Sequence, residues 1–503
     1  MPQVSVESGP SRFVALDKRL SELSSYVIVV SLVALVCGWV FLNSIGHTAL
    51  HQDMAEQFVW AHSWQLGYPK HPPLPTWLFM AAQLLAPPTP GLLYTLAALC
   101  IAATGVFTYL FARELHGPRF GILVAVLWSL QQPFSWRAWI YNHNTVLIAA
   151  VAFTAWVTLR AAHRPTLLRW LWVGVGSALA MLTKLQAFVP LVGMVWALWR
   201  SGHLDQPRER KLMGITLLVA VLLSGPALYW MLTGHTNALS YGLHQLGDKK
   251  PGGESVGVLQ FITSELRMGS LTLVALLAWI GINRRNTSGA ELETPLVATD
   301  TRAWIQGLFW LPLAVVGAAA LFGGARLHAQ WGVQVFQFLA LALVIWFKPR
   351  LDGLSVSKAL LVGFVLQALQ LAAALSPQGQ KLHAPGAVQG YPAKVFAQRV
   401  LGDWQRYTHC PLHFVSAPFI EGGQLSAYLP GFPVVIEDGE LGNSPWVDPV
   451  ALAQEGEVVV VRDESAFPAD VIHEPSMVLV PPASVKLVHT AYWGIRMPKT
   501  PCR

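Results

Sequence analysis

The sequence NSIGHTALHQDMAEQFVWAHSWQLGYPKHPPLPTWLF, residues 43–79, decides how the rest of the chain is interpreted. It follows the first long apolar run, at 25–43, and a second strongly apolar segment comes soon after it. Between these segments it carries Asp53, Glu56 and Lys70 together with four histidines and one tyrosine. Ionisable residues at membrane depth are costly and usually mark functional sites. We therefore expect the chemistry of the protein in this polar, partly helical loop between membrane helices.

The composition of the chain is that of a membrane protein. Of its 503 residues, 53% are hydrophobic and only 12% are charged, whereas soluble domains carry about 25% charged residues. The 21 tryptophans suit the aromatic belts at membrane interfaces. The net charge of +7 is not a nucleic-acid signal, because Lys and Arg near membrane ends set orientation. We predict a polytopic membrane protein that contacts the lipid bilayer and no nucleic acid.

Apolar runs of about 20 residues, the length of a bilayer-spanning helix, recur about eleven times. A shorter run at 73–86 predicts an interfacial helix opened by two prolines. Lys and Arg are concentrated in alternate connections, which predicts a cytoplasmic tail at 1–24, a transmembrane domain at 25–376 and a first outer loop at 44–89. The predicted spans are 25–43, 90–113, 119–136, 143–160, 169–183, 186–200, 212–232, 257–282, 303–322, 331–347 and 358–376.

The last part of the chain, 377–503, has a different composition. Short β-branched runs such as FPVVIED and GEVVVVRDES alternate with Pro, Gly and Asp, as strands and turns do. They predict a small α/β domain on the outer side of the membrane, which we interpret as a lid or support without chemistry of its own. Cys410 and Cys502 both lie here and could form a disulfide bond in an oxidising compartment.

The charged residues of the first loop admit two interpretations each. Asp53 and Glu56 are three apart, hence on one helix face. Asp53 could cap that helix and Glu56 could be a solvated acid, or the acids could act on a substrate at the membrane surface. Lys70 and His71 could be an interface anchor before a proline helix start, or a cation and a proton-bearing ring aimed at a phosphate.

Further polar residues gather in the loops predicted to lie on the outer side, and this recurrence predicts a shared polar cavity. No nucleotide-binding or structural-metal motif is present. His47 and His51 have a metal-compatible spacing but too few neighbouring ligands, so we expect no metal site. A membrane enzyme without a nucleotide fold would need an activated, lipid-linked donor. The residues predicted to bind substrate are Glu56, Tyr68, Lys70, His71, Arg137, His143, Asn144, Lys184, Arg326 and His328.

Several segments resemble a known family. The acid-bearing loop with GYPKHPPLPTWL, then ARELHGPRFGILVA, YNHNTVLIAAVAFTAWVTLR and GSALAMLTKLQAFVPL, resemble bacterial members of the dolichyl-phosphate-mannose protein mannosyltransferase family. They also resemble the relatives that transfer aminoarabinose to lipid A. These are integral membrane glycosyltransferases of the GT-C class. The resemblance covers residues 20–200 well and is weaker at ARLHAQWGVQ, near the end of the predicted transmembrane domain.

The resemblance implies roles for individual residues. Asp53 matches the first-loop aspartate of the family, which is taken as the base that activates the acceptor. His71 matches the Lys or His before the proline pair, close to the donor phosphate, and Lys184 matches the lysine of a later turn. Asn144 stands where many members have an aspartate, and Lys70 stands where some have an acid proposed as a metal ligand. A second acidic residue and a metal are therefore not implied here.

The function that the resemblance implies is sugar transfer with inversion, with Asp53 as general base. The donor would be a polyprenyl-phosphate sugar, the only cofactor-like molecule expected, and the acceptor a lipid A, polysaccharide, protein or other lipid. The reaction would take place at the outer face of a bacterial inner membrane. The alternative is a transporter or flippase of lipid-linked sugars. Transporters commonly show internal repeats, and we find none in the sequence.

Overall fold

The computed structural model describes most of the chain, in several stretches. Outside it lie Arg326 and His328 of the predicted site, Cys502, and the predicted N-terminal tail. The predicted domain boundary at 377 also falls outside the described residues. The described residues are 25–233, 258–284, 298–323, 327, 332–348, 351, 353–376, 391–474, 476–479 and 489–500.

Helices make up the first part of the chain, up to residue 376. Six of the described helices are long and apolar enough to span a membrane, or seven if one bent pair counts as a span. The helices are α1 (Ser25–Ser44), α2 (Gln52–Trp60), α3 (Leu74–Gln83), α4 (Pro90–Ser129), α5 (His143–His163), α6 (Leu167–Met181), α7 (Phe188–Arg200), α8 (Pro207–Leu232), α9 (Val258–Met268), α10 (Ser270–Arg284), α11 (Ala298–Ile305), α12 (Leu311–Gly323), α13 (Val333–Phe336), α14 (Leu339–Phe347) and α15 (Gly353–Leu375), with a π turn at Gln306–Trp310 and 3-10 turns at Gln132–Phe134, Leu185–Ala187 and His203–Asp205.

Helix α4 is a hairpin of two helices. Gly117 has φ +83°, a conformation that favours glycine, and it interrupts the helix together with His116. A Cβ placed on Gly105 would lie 2.6 Å from the ring of Trp128. In a straight helix these two residues would be about 35 Å apart, so the second arm folds back along the first. The runs predicted at 90–113 and 119–136 are the two arms, and the second ends at Ser129.

Other predicted spans are shorter or broken. The run at 257–282 is two helices, and the axes of their apolar parts meet at an angle of 61°. The run at 331–347 consists of the two short helices α13 and α14. The run at 73–86 forms α3, which begins after Pro73 as expected for a proline-opened helix. Apolar composition predicted where these helices lie, but not where they bend.

The C-terminal part is a small α/β domain, as predicted. Its six described strands form a sheet in the order β2-β1-β3-β6-β4, with β5 also paired to β6. The first three strands in this order are parallel, and β3 pairs antiparallel with β6 in the register Val459 to Gly494. The elements are α16 (Ala393–Tyr407), β1 (Phe414–Ala417), α17 (Phe419–Tyr428), β2 (Val434–Glu437), α18 (Pro449–Glu455), β3 (Glu457–Val461), β4 (Ile472–His473), β5 (Met477–Leu479) and β6 (His489–Arg496), with 3-10 turns at Leu441–Asn443 and Glu464–Ala466.

This domain packs directly against α2. The Gln424 side chain makes two hydrogen bonds with the Leu50 backbone, one to its N–H and one to its carbonyl oxygen, each 2.9 Å long. Gly423 lies so close to α2 that a Cβ there would overlap the carbonyl group of Ala55. The interface therefore fixes the helix that carries Asp53. Cys410 takes part in a disulfide bond, while its predicted partner Cys502 lies outside the described residues.

Candidate active site

Asp53 lies in the first turn of α2, but it does not cap that helix. The cap is His51, whose Nδ1 accepts a hydrogen bond of 3.3 Å from the Asp53 backbone N–H. The Asp53 carboxylate instead accepts a 2.8 Å hydrogen bond from the Asn142 side chain. Its side chain keeps 13% of its surface exposed. The capping interpretation of Asp53 is therefore wrong, and the carboxylate is held in place with one side open.

Asn142 links Asp53 to the start of a second helix. It is the N-cap of α5, where its Oδ1 accepts a 2.9 Å hydrogen bond from the Thr145 backbone N–H. Its amide N–H is thereby directed at Asp53. Sequence reasoning singled out His143 and Asn144 but not Asn142 as a site residue. Its position just before a helical run was the available signal, since Asn is a preferred N-cap.

Lys184 lies in the turn between α6 and α7, where its Nζ donates a 3.0 Å hydrogen bond to Asn144 Oδ1. Burial lowers the pKa of Lys184 to about 7, while the nearby negative charge of Asp53 opposes this shift. Burial disfavours the charged form of an ammonium group. An anionic ligand beside Lys184 would raise its pKa again, and the protonated ammonium group would then stabilise the bound anion.

His71 and His143 lie against each other, with ring centroids 3.7 Å apart. Burial, followed by the charges of Lys184 and Lys70, lowers the pKa of His71 well below its usual value. His71 is therefore a neutral ring near pH 7. The Nδ1 atom of His143 is buried and has no hydrogen-bond partner among the described residues. Neutral rings of this kind can still donate an N–H to a phosphate oxygen.

Backbone hydrogen bonds bring these segments together. The Leu74 N–H, at the end of the HPPL segment, donates to the Leu182 carbonyl oxygen at 2.9 Å, next to the turn that carries Lys184. The Tyr141 hydroxyl donates to the Pro75 carbonyl oxygen at 2.6 Å. The Leu74 N–H lies at the start of α3 and the Leu182 carbonyl at the end of α6, where such groups have no partner within their own helix. Three loops that are far apart in sequence thus meet beside Asp53.

A cavity of about 80 Å³ opens beside this cluster. Arg137 lines it, and burial lowers the pKa of this arginine while the charges of Asp53 and Glu265 oppose the shift. Glu265, on α9, is 2% exposed and was missed by sequence reasoning. An acid inside an otherwise apolar run was the signal that could have identified it. The lining residues are His51, Ile101, Pro133, Arg137, Ile140, Asn142, Asn144, Thr145, Ile148, Met268 and Val333.

Glu56 and Lys70 form an ion pair that faces the C-terminal domain. Lys70 Nζ lies 2.5 Å from Glu56 Oε1 and 3.7 Å from Glu437 Oε1 on β2. It also lies 3.9 Å from the centre of the Phe419 ring. Burial raises the pKa of Glu56 to about 7, and Lys70 opposes this shift. The geometry assigns these two residues to the interface between the loop and the domain.

Tyr68 makes its contacts with other residues of the same loop. Its ring stacks on Trp60, with centroids 5.6 Å apart, and its hydroxyl donates a 2.8 Å hydrogen bond to the Ser63 carbonyl oxygen. Only 1% of the residue is exposed. These contacts give Tyr68 a packing role, and its contact with substrate stays a prediction. Among the described residues, no group of three or more His, Cys, Asp or Glu side chains is arranged to hold a metal ion.

Comparison with known proteins concerns the family and the fold of this chain. Residues 70–230 match the family model described as dolichyl-phosphate-mannose-protein mannosyltransferase. ArnT from Cupriavidus metallidurans bound to undecaprenyl phosphate has a similar fold, with a TM-score of 0.59, 12% identity, and coverage of 95% of this chain and 99% of that one. The apo state of the same protein gives a TM-score of 0.51, 13% identity, and coverage of 94% and 98%. No curated protein matches the sequence. The family match over residues 70–230 and the shared fold confirm the resemblance to the GT-C membrane glycosyltransferases, and the fold of this chain is that of ArnT.

Proposed function

We propose that this protein transfers a sugar from a polyprenyl-phosphate donor to an acceptor hydroxyl, with inversion at the anomeric carbon and with Asp53 as general base. The observation that carries the proposal is the arrangement of one open carboxylate beside a buried cation. Asn142 holds Asp53 at 2.8 Å, and Lys184 lies close enough for the charge of Asp53 to affect its pKa. A base and a phosphate-binding cation are the two groups that this reaction needs.

The proposed step conserves atoms and charge. The acceptor oxygen attacks the anomeric carbon while its proton passes to the Asp53 carboxylate. The bond from that carbon to the phosphate oxygen breaks, and polyprenyl phosphate leaves with the bonding electrons. A positioned general base is worth about 10²–10⁴-fold in rate. The hydrogen bond from Asn142 orients the carboxylate for this role.

The leaving phosphate needs positive charge and hydrogen-bond donors. The charge of Asp53 acts on Lys184, which is buried, and on Arg137, which is partly buried. Charge interactions are stronger where water is excluded. The neutral rings of His71 and His143 would add N–H donors. That ArnT of similar fold is bound to undecaprenyl phosphate supports a lipid phosphate as the ligand of this cluster.

The proposal includes a location and a substrate range. The distribution of Lys and Arg places the N-terminus in the cytoplasm and the Asp53 loop with the C-terminal domain in the periplasm of a bacterial inner membrane. The sugar would be a hexose or a pentose, and the acceptor a lipid A, polysaccharide, protein or lipid. Arg326 and His328 remain predicted substrate contacts.

The test is mass spectrometry of cell-envelope lipids, polysaccharides and proteins from cells that contain wild-type protein, Asp53→Asn or no protein. We expect a sugar-sized mass on one fraction with the wild type alone, which would name both sugar and acceptor class. A labelled donor incubated with purified protein in vesicles separates transfer from transport. Movement of intact donor across the bilayer, without a new product, would contradict the proposal in favour of a flippase.

A further inference from the structure

A second cavity lies between α5 and α6, at their far end from the site. Its volume is about 320 Å³, and its lining contains Arg160 on α5 and Arg169 on α6. Helix α5 begins beside Asn142 and is 21 residues long, so its ends are about 30 Å apart. This is the thickness of the hydrocarbon core of a bilayer. The cavity and the Asp53 site therefore lie at opposite membrane surfaces. The lining residues are Phe153, Trp156, Val157, Arg160, Arg169 and Trp172.

The two basic side chains of this cavity are those of Arg160 and Arg169. Neither forms an ion pair with a carboxylate among the described residues, and Arg169 uses one N–H in a 2.5 Å hydrogen bond to the Arg164 carbonyl oxygen. The carboxylates of Glu114 and Asp300 at this end instead lie 3.4 and 3.9 Å from the ring of His163. Among the described residues, the lining of the cavity thus contains two arginines and no carboxylate.

The remaining walls of the cavity are apolar and mostly aromatic. The Trp156 ring stacks on Phe107, with centroids 5.5 Å apart, and the Arg160 guanidinium lies 5.2 Å from its centre. Trp172 is 49% exposed on the outward face of α6, and this apolar face continues to Leu168, which is 65% exposed. If the arginines bind an anionic headgroup, the apolar surface beside them can contact the acyl chain of the same lipid.

We propose that this cavity binds an anionic membrane phospholipid. The phosphate would accept hydrogen bonds from Arg160 and Arg169, and the upper part of an acyl chain would lie along Phe153, Trp156 and Trp172. Basic cavities between membrane helices are a recurrent way of binding such headgroups. Free phosphate lacks the apolar part that the aromatic walls would cover. The ligand bridges the same two helices whose other ends lead to Asn142 and Lys184.

The proposal is tested with full-length protein purified into nanodiscs that contain phosphatidylglycerol or phosphatidylcholine. Native mass spectrometry measures the phosphatidylglycerol retained by wild type, by Arg160→Gln/Arg169→Gln, and by a control. The control is Arg200→Gln/Arg210→Gln, which removes two exposed arginines outside the cavity, one at the end of α7 and one in the first turn of α8. We expect binding about thirtyfold weaker in the cavity variant, from the loss of two cations facing an anionic lipid. The control should retain the lipid as the wild type does.

Equal retention by both variants would overturn the proposal. A photoreactive phosphatidylglycerol applied to wild-type protein gives an answer even if the cavity variant does not fold. We expect its crosslinks on peptides that contain Phe153 or Trp172, and crosslinks confined to other helices would exclude this cavity. Millimolar inorganic phosphate should not displace the lipid. Displacement by phosphate alone would show a simple anion site in place of a lipid site.

Discussion

Lys184 makes donor binding dependent on pH. Burial lowers its pKa to about 7, so it is charged at pH 6 and largely neutral at pH 8. A phosphodiester donor analogue does not titrate in this range. We expect the affinity for this analogue to be constant below pH 7 and to fall about tenfold per pH unit above it, because a proton must then be taken up on binding. Equilibrium binding in nanodiscs between pH 6 and 9 measures this.

The matched control for this effect is Lys184→Met. Burial also raises the pKa of Glu56 to about 7. This residue is still present in the variant, so a pH dependence caused by Glu56 would persist there. The variant should bind the analogue weakly and with no pH dependence above pH 7. The same slope in variant and wild type would show that another group takes up the proton.

Lys70 neutralises two buried acids, so its loss should reduce stability. In Lys70→Met, Glu56 and Glu437 would face each other without the cation that lies 2.5 and 3.7 Å from them. Breaking a buried ion pair by removing one partner costs about 3–5 kcal/mol. We expect a lower Tm, partly recovered in Lys70→Met/Glu56→Gln. If the Tm is unchanged and donor binding is lost, Lys70 does not stabilise the interface and instead contacts the phosphate directly, as its sequence context predicted.

The candidate site residues could be selected from the sequence, and their roles stay predictions, whereas their surroundings could not be predicted. Asp53, His71 and Lys184 stand out because ionisable residues beside apolar runs are rare. The neutral state of His71 follows from burial against Lys184 and His143, which lie far away in sequence. Glu265 escaped notice because its run reads as a membrane span, and only the folded chain brings it near Arg137.

At the scale of elements, the interface between α2 and α17 controls the position of Asp53. Gly423 allows α17 to approach the backbone of Ala55, and Gln424 bonds to both polar groups of the Leu50 backbone. The C-terminal domain was predicted as a lid or support. Its contact surface was not predicted, because two adjacent small or polar residues give no periodic signal in the sequence.

Gly423→Ala should reduce activity by displacing α2. The added Cβ would overlap the Ala55 carbonyl group, which belongs to the backbone and cannot rotate away. Displacement of a catalytic group by about 1 Å can cost about 10²-fold in rate. We expect kcat to fall by about 10–100-fold in a labelled-donor transfer assay. Gly402→Ala, where a Cβ on α16 would meet nothing within 4 Å, is the control and should keep its activity. Equal activity of both variants would show that the interface does not position Asp53.

At the scale of the whole molecule, hydropathy located the helices but not their path. The hairpin in α4 depends on Gly117, and the bend between α9 and α10 interrupts a continuous apolar run. From hydropathy, an apolar run is assigned one membrane span or two by its length alone, because a bend gives no signal of its own. The prediction of about eleven spans therefore stays a prediction, while the GT-C fold is confirmed by the similarity to ArnT over nearly the whole chain.

Close glycine contacts set how the membrane helices pack. Gly193 on α7 and Gly307 in the π turn lie so close that a Cβ on either would overlap the other's carbonyl oxygen. Small residues permit such approaches between membrane helices. We expect Gly193→Ala to lower the Tm by several degrees, since overpacking costs about 1–3 kcal/mol. Gly214→Ala, at a site with nothing within 4 Å of the new Cβ, should leave the Tm unchanged. A matching loss in both variants would point to a general effect of glycine replacement on these helices.

The role of Asp53 as the base is tested most directly by single-turnover transfer from a labelled lipid-linked sugar with wild-type protein and Asp53→Asn. Asparagine keeps the size of the side chain and can still hydrogen-bond to Asn142, but it cannot take a proton. The account predicts a rate about 10²–10⁴-fold lower, with the Tm and the affinity for donor retained. A rate close to that of the wild type, in protein that binds donor normally, would contradict the assignment of Asp53 as the base.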